Sequence, residues 1–206
     1  MNNLKRLLAL GDSYTIGEAV AQDERWPEQF ISMLKRCGVE FDTPEIIATT
    51  GWTTGELMMA IEKAKPQVPY DMVSLLIGVN NQYRGYSLED YSIEFEELLK
   101  KAIFFADGDV KRVLVISIPD WGATPFAANR DGVKIASEID AFNKVNKSIA
   151  SRYSVDYIDI TPHSRMARND QSLTASDNLH PSNRVYTYWA ELISQWYLFK
   201  LTKTAG

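Results

Sequence analysis

Short apolar runs alternate along this chain with longer stretches in which apolar residues recur at helical spacing. The runs fall at 6–10, 45–49, 72–77, 112–118 and 155–160 and read as strands. Val73-Ser74-Leu75-Leu76-Ile77 and Val113-Leu114-Val115-Ile116 are nearly unbroken, as expected of strands covered by helices on both faces. A parallel sheet is predicted. Between the runs, Trp26-Pro27-Glu28 opens a helix with proline and an acid in its first turn, and Gly38 closes it. A second helix covers 54–65 and stops at Pro66. Ser87-Leu88-Glu89-Asp90 resembles a capping box and starts a third, reaching Phe105, with Leu88, Tyr91, Phe95, Leu98 and Leu99 on one side. Segments 133–152 and 182–201 supply the last two. This alternation predicts an α/β fold, a doubly wound sandwich without repeat or linker. A length of 206 residues fits one domain over 1–206.

Composition narrows the function classes. A net charge of -5, with Lys and Arg dispersed among acidic residues, leaves no footprint for nucleic acid or an anionic membrane. The lone Cys37 cannot form an internal disulfide, and no Cys/His cluster offers zinc ligands. No metal and no cofactor are expected, and the cysteine usage suits a reducing compartment, with the cytoplasm as default. Basic residues before Leu7–Leu10 superficially resemble a secretory leader, but the apolar stretch is too short and reads as the first strand. No stretch approaches the ~20 apolar residues of a membrane span. Cys37 reads as a small apolar residue of the first helix, and Met58-Met59 as core filling.

Ligands of open α/β sheets bind beyond the carboxyl ends of the strands, and the polar motifs fall there. Gly11-Asp12-Ser13 follows the first strand, Gly51 the second and Gly78-Val79-Asn80-Asn81 the third, while Asp177-Asn178-Leu179-His180 precedes the last helix. A serine hydroxyl becomes a nucleophile only with a base to take its proton and a third group to orient that base. The chain has two histidines. His180 has a carboxylate three residues before it; His163, in Thr161-Pro162-His163-Ser164, has none at a favourable spacing. The reading is a serine hydrolase with Ser13 as nucleophile, His180 as general base and then acid, and Asp177 as its orienting partner. Asn80 through its side chain, and Gly51 and Ser13 through backbone N–H groups, are the candidate oxyanion donors. Each motif alone is also ordinary turn or cap chemistry. Their order and common edge carry the weight.

These residues make the chain resemble the SGNH hydrolases, also called the GDSL esterase/lipase family, whose four blocks occur in order. Thr15-Ile16-Gly17, Trp26-Pro27 and Thr53 are further family-like marks. The resemblance implies a flavodoxin-like three-layer α/β/α sandwich with a five-stranded parallel sheet. It also implies Ser13, Asp177 and His180 as catalytic residues, Gly51 and Asn80 as the oxyanion hole, and esters or thioesters as substrates. Two positions depart from it. Asn81 stands where the third block usually carries Asp, which puts the posture of that loop in question, and Ile46 replaces a frequent Asn and reads as core filling.

Substrate size is read from two aromatic loops expected at the active edge, 82–86 and 119–126, which could hold sugar rings or a short acyl chain, or merely pack onto the sheet. No long apolar lid suggests an interfacial lipase. The reading leans to small-molecule esters of small acyl groups, such as acetyl groups on a carbohydrate. Two alternatives stay open: an acyltransferase using the same triad, and a noncatalytic ligand-binding module. Composition is compatible with a monomer or a dimer.

Overall fold

β1 (Leu7–Asp12), β2 (Glu45–Thr49), β3 (Met72–Leu76), β4 (Val113–Ile116) and β5 (Asp156–Ile158) form one parallel sheet in the order β2-β1-β3-β4-β5 in a computed structural model of the chain. The structure describes residues 4–204; the ends of the expected 1–206 domain, including the first three leader-like residues, lie outside the described residues. β1, β3 and β4 are buried along their whole length, whereas β2 and β5 at the edges are mostly half-buried. The unbroken apolar runs therefore mark the central strands, as two-sided helical cover requires. Register pairs Leu10 with Ile47 on one side and Leu75 on the other, and β1 continues to Gly11 and Asp12, opposite Ala48 and Thr49. The strand order reverses between β1 and β3. At such a switch point the crossovers leave in opposite directions and open a crevice.

The principal helices are α2 (Trp26–Arg36), α3 (Thr54–Ala64), α5 (Leu88–Phe105), α6 (Gly132–Arg152) and α8 (Asn183–Thr204), with single-turn α1 (Ser13–Ile16), α4 (Val79–Tyr83) and α7 (Thr161–Ser164) between them. α2 packs on α8, and α3 packs on α5, which packs on α6. Starts follow local chemistry: Thr53 caps α3 in a capping box with Glu56, Ser87 caps α5, and Asp131 accepts from Val133 and Lys134 at the start of α6. Among the described residues no helix is long and apolar enough to cross a membrane.

Several expectations are corrected. Cys37 is exposed at the C-cap of α2, where the chain leaves the core face. Met58 packs against the core but Met59 is 65% exposed, because neighbouring residues on a helix point about 100° apart. Leu88 is likewise exposed, ahead of the point where α5 settles onto the sheet through Tyr91, Phe95, Leu98 and Leu99. The segment expected to be a loop from Gln82 begins inside α4, since Gln82 N–H donates to Gly78 O at 3.1 Å. The second aromatic loop is wound into two 3₁₀ turns, Trp121–Ala123 and Pro125–Ala127.

Candidate active site

Ser13 ends the run from β1 into α1, where two features of its motif have local causes. A Cβ on Gly11 would lie 2.1 Å from Thr15 Oγ1 and 2.5 Å from Leu76 O, so only glycine lets β1 turn so closely against β3. Asp12 caps α1, its Oδ1 accepting from Tyr14 N–H at 3.0 Å. Asp12 is fully buried, and that burial pushes its carboxyl up to about 7 against the opposing backbone hydrogen bonds. The adjoining Tyr14 phenol is pushed well up, first by burial and then by Asp12, Asp177 and Asp120.

His180 is presented by a loop tied at several points. Asp177 Oδ1 accepts from the N–H groups of Leu179 at 2.9 Å and His180 at 3.0 Å, while Oδ2 lies 2.5 Å from His180 Nδ1. Burial raises the Asp177 carboxyl, but the His180 side-chain bond and the two backbone N–H bonds outweigh it and hold it below its ordinary value. An ionised carboxylate on Nδ1 fixes the imidazole tautomer and leaves Nε2 to accept a proton. Ala175 N–H donates to His180 O, and Phe126 N–H donates to Asn178 O, fastening this loop to the aromatic 3₁₀ turns.

Ser13, Tyr14, Thr50, Gly51, Val79, Asn80, Tyr83, Trp121, Phe126, Leu179 and His180 line one cleft of about 220 Å³. The structure thus brings Ser13, Gly51, Asn80 and His180 to a shared cavity, with Asp177 behind His180. Gly51 has φ +85°, in the left-handed region that favours glycine, and faces the cleft without a Cβ. Asn80 Nδ2 donates to Trp52 O at 3.0 Å and lies 3.5 Å from Asp12 Oδ2. One side of the cleft is aromatic. Trp121 is buried and stands edge-on to Tyr83 and Phe126, which are about half exposed. Its Nε1 donates to Gln82 Oε1 at 2.7 Å. Trp121 therefore ties the loop to α4 and to the core, while Tyr83 and Phe126 present ring surface to the cavity.

His163 is elsewhere. It stacks on Tyr188 with centroids 3.9 Å apart, does not line the cleft, and burial followed by the charge of Arg184 holds its imidazole below the ordinary value. Among the described residues no group of three or more His, Cys, Asp or Glu is placed to hold a metal ion. Asn81 answers the question raised by its departure from the family pattern. Its Oδ1 accepts from Thr54 N–H at 3.1 Å and its Nδ2 donates to Thr54 Oγ1 at 2.6 Å, while Thr54 Oγ1 donates to Glu94. An Asp there could accept from the Thr54 hydroxyl; Asn donates to it instead, and the hydroxyl turns its own hydrogen to the Glu94 carboxylate. Ile46 packs against the core as expected. Glu94 and the buried state of Asp12 had no local sequence signal.

Residues 9–188 match the GDSL-like lipase/acylhydrolase family. No curated protein matches the chain. Among solved structures, a lipase/acylhydrolase from Enterococcus faecalis is similar over 93% of this chain and 94% of its own, at 21% identity and a TM-score of 0.69. TesA is similar at 16% identity over 93% and 97% of the two chains, with a TM-score of 0.71. Axe2, an acetylxylan esterase from Geobacillus stearothermophilus, is similar at 16% identity over 95% and 93%, with a TM-score of 0.67. At such identities the likeness is one of fold.

Proposed function

The chain belongs to the GDSL-like lipase/acylhydrolase family, and from that premise we propose that it is a single-domain serine esterase that cleaves esters of small acyl groups through an acyl-Ser13 intermediate. The carrying observation is the meeting of Ser13, Gly51, Asn80 and His180 on one cleft with Asp177 bonded to His180 Nδ1. In this reading Ser13 Oγ attacks the ester carbonyl while His180 Nε2 takes its proton. The oxyanion is held by the N–H groups of Gly51 and Ser13 and by Asn80 Nδ2. Collapse breaks the bond to the alcohol oxygen, which leaves with the proton from His180. Water, deprotonated by the same imidazole, then adds to the acyl-enzyme, and Ser13 leaves with that proton.

The cleft supports a small acyl group on a ring-bearing alcohol. Tyr83 and Phe126 offer apolar faces on which a sugar ring can stack, and an acetylxylan esterase shares the fold. The proposed location is the cytoplasm, since a single cysteine suits a reducing compartment. Turnover of p-nitrophenyl acetate, butyrate and octanoate and of an acetylated xylo-oligosaccharide, by wild type and Ser13→Ala, tests the reading. Ser13-dependent release that falls with chain length is expected. Hydrolysis by Ser13→Ala at the wild-type rate would remove it.

A further inference from the structure

The turn that carries Gly51 is gripped from one neighbouring helix at two successive carbonyls. Asn80 Nδ2 donates to Trp52 O at 3.0 Å, and Arg84 Nη2 donates to Gly51 O at 2.5 Å. The two side chains are four residues apart on α4 and its C-cap, hence on one face. Arg84 is itself braced. Its Nη1 lies 3.2 Å from Glu56 Oε2, and the same oxygen accepts from Thr53 N–H at 2.8 Å in the capping box of α3. The guanidinium therefore spans the Gly51 turn and the start of α3, a task that suits its planar fork and that a lysine ammonium, a single point of charge, cannot share equally.

Arg84 does not line the cleft, and a Cβ built on Gly51 would lie 3.7 Å from its Nη2, in ordinary van der Waals contact. It touches the backbone and not a substrate. A glycine at positive φ has more accessible conformations than any other residue, so its peptide groups must be fixed from outside if its N–H is to stay aimed at one point. The turn contributes only a 3.3 Å bond, from Trp52 N–H to Thr49 O. Side-chain exposures of 40% for Arg84 and 36% for Glu56 mean that the pair adds little to stability. Its consequence is local geometry.

We infer that Arg84 is a positioning residue: by holding the Gly51 carbonyl against the start of α3, it keeps the Gly51 N–H aimed into the cleft, where the growing oxyanion needs a donor. The inference rests on the hydrolase reading for its catalytic consequence, but the grip itself is a property of the resting protein. Losing an oxyanion donor outright typically costs about 10²- to 10³-fold in kcat. Leaving that donor present but unrestrained costs less, about 10- to 100-fold, with KM changed by less than about threefold because substrate contacts persist.

Two measurements on Arg84→Met and Arg84→Lys test it: ester turnover, and the Gly51 amide resonance in ¹⁵N-labelled protein, alongside a thermal melt. The expected result is a lowered kcat with KM and melting temperature nearly unchanged, a Gly51 resonance shifted or broadened in both variants, and Arg84→Lys between wild type and Arg84→Met in rate. A Gly51 resonance that stays in place in Arg84→Met overturns the inference, whatever happens to turnover. So does a displaced resonance with wild-type kcat. If the wild type cleaves no ester, the hydrolase reading fails and the catalytic consequence with it, while the Gly51 resonance still decides whether Arg84 holds the turn.

Discussion

Replacing Asp12 by Asn should remove a pH-dependent part of the protein's stability. Asp12 is fully buried beside the Asn80 amide, and burial lifts its carboxyl from an ordinary 3.8 to about 7. The folded state therefore binds this proton more tightly than the unfolded chain does. The associated stability is complete below about pH 4, declines as the pH climbs toward about 7, and levels off beyond. At about 1.4 kcal/mol per pH unit, the shift corresponds to an order of 4 kcal/mol across that window. Asn is nearly isosteric, keeps an acceptor for Tyr14 N–H and has no proton to lose. Melting temperatures of wild type and Asp12→Asn, followed by circular dichroism across that pH range, isolate the effect, because the other titrating groups are common to both. For a chain of this length about 2–4 °C accompanies each kcal/mol, so the wild type should lose about 10 °C relative to the variant between acid and mildly alkaline buffer. Melting curves that move in parallel across the range would refute the reasoning.

Other perturbations separate parts of the site. Asp177→Asn removes the carboxylate 2.5 Å from His180 Nδ1 and should lower kcat by about 10²- to 10⁴-fold without unfolding the chain, checked by steady-state kinetics beside a melt. Asn80→Ala removes a candidate oxyanion donor and the bond to Trp52 O; a fall in kcat of about 10²- to 10³-fold with little change in KM is expected. Gly11→Ala would press a methyl group against Leu76 O at 2.5 Å. Overpacking of this kind costs about 1–3 kcal/mol or more, measured as a lowered urea midpoint.

The central fold was legible because its causes are local. Continuous apolar runs mark β1, β3 and β4, and Ser87 declares the start of α5 within a few residues of sequence, whereas the caps at Thr53 and Asp131 show only in the structure. Edges were less legible. β5 was expected over 155–160 and pairs only over Asp156–Ile158, because buried Val155 and Ile160 lie outside the ladder. Ser13, Gly51 and Asn80 could be named as candidates from residue type and position after strands, Asp177 and His180 from their spacing before the last helix, and the fold lines one cleft with Ser13, Gly51, Asn80 and His180. What sequence reading missed acts over distance. Arg84 reaches Gly51 across 33 positions and Thr54 reaches Glu94 across 40, and neither pairing leaves a motif. The Asp12 carboxyl is unusual through enclosure, which no short string encodes.

The central claim is that Ser13 is a nucleophile activated by His180, and labelling with a fluorophosphonate followed by intact mass and peptide mapping tests it most directly. The account predicts one adduct, on Ser13, absent from Ser13→Ala and slow to form in His180→Ala. An unlabelled wild type, or an adduct on another residue that persists in Ser13→Ala, would contradict it.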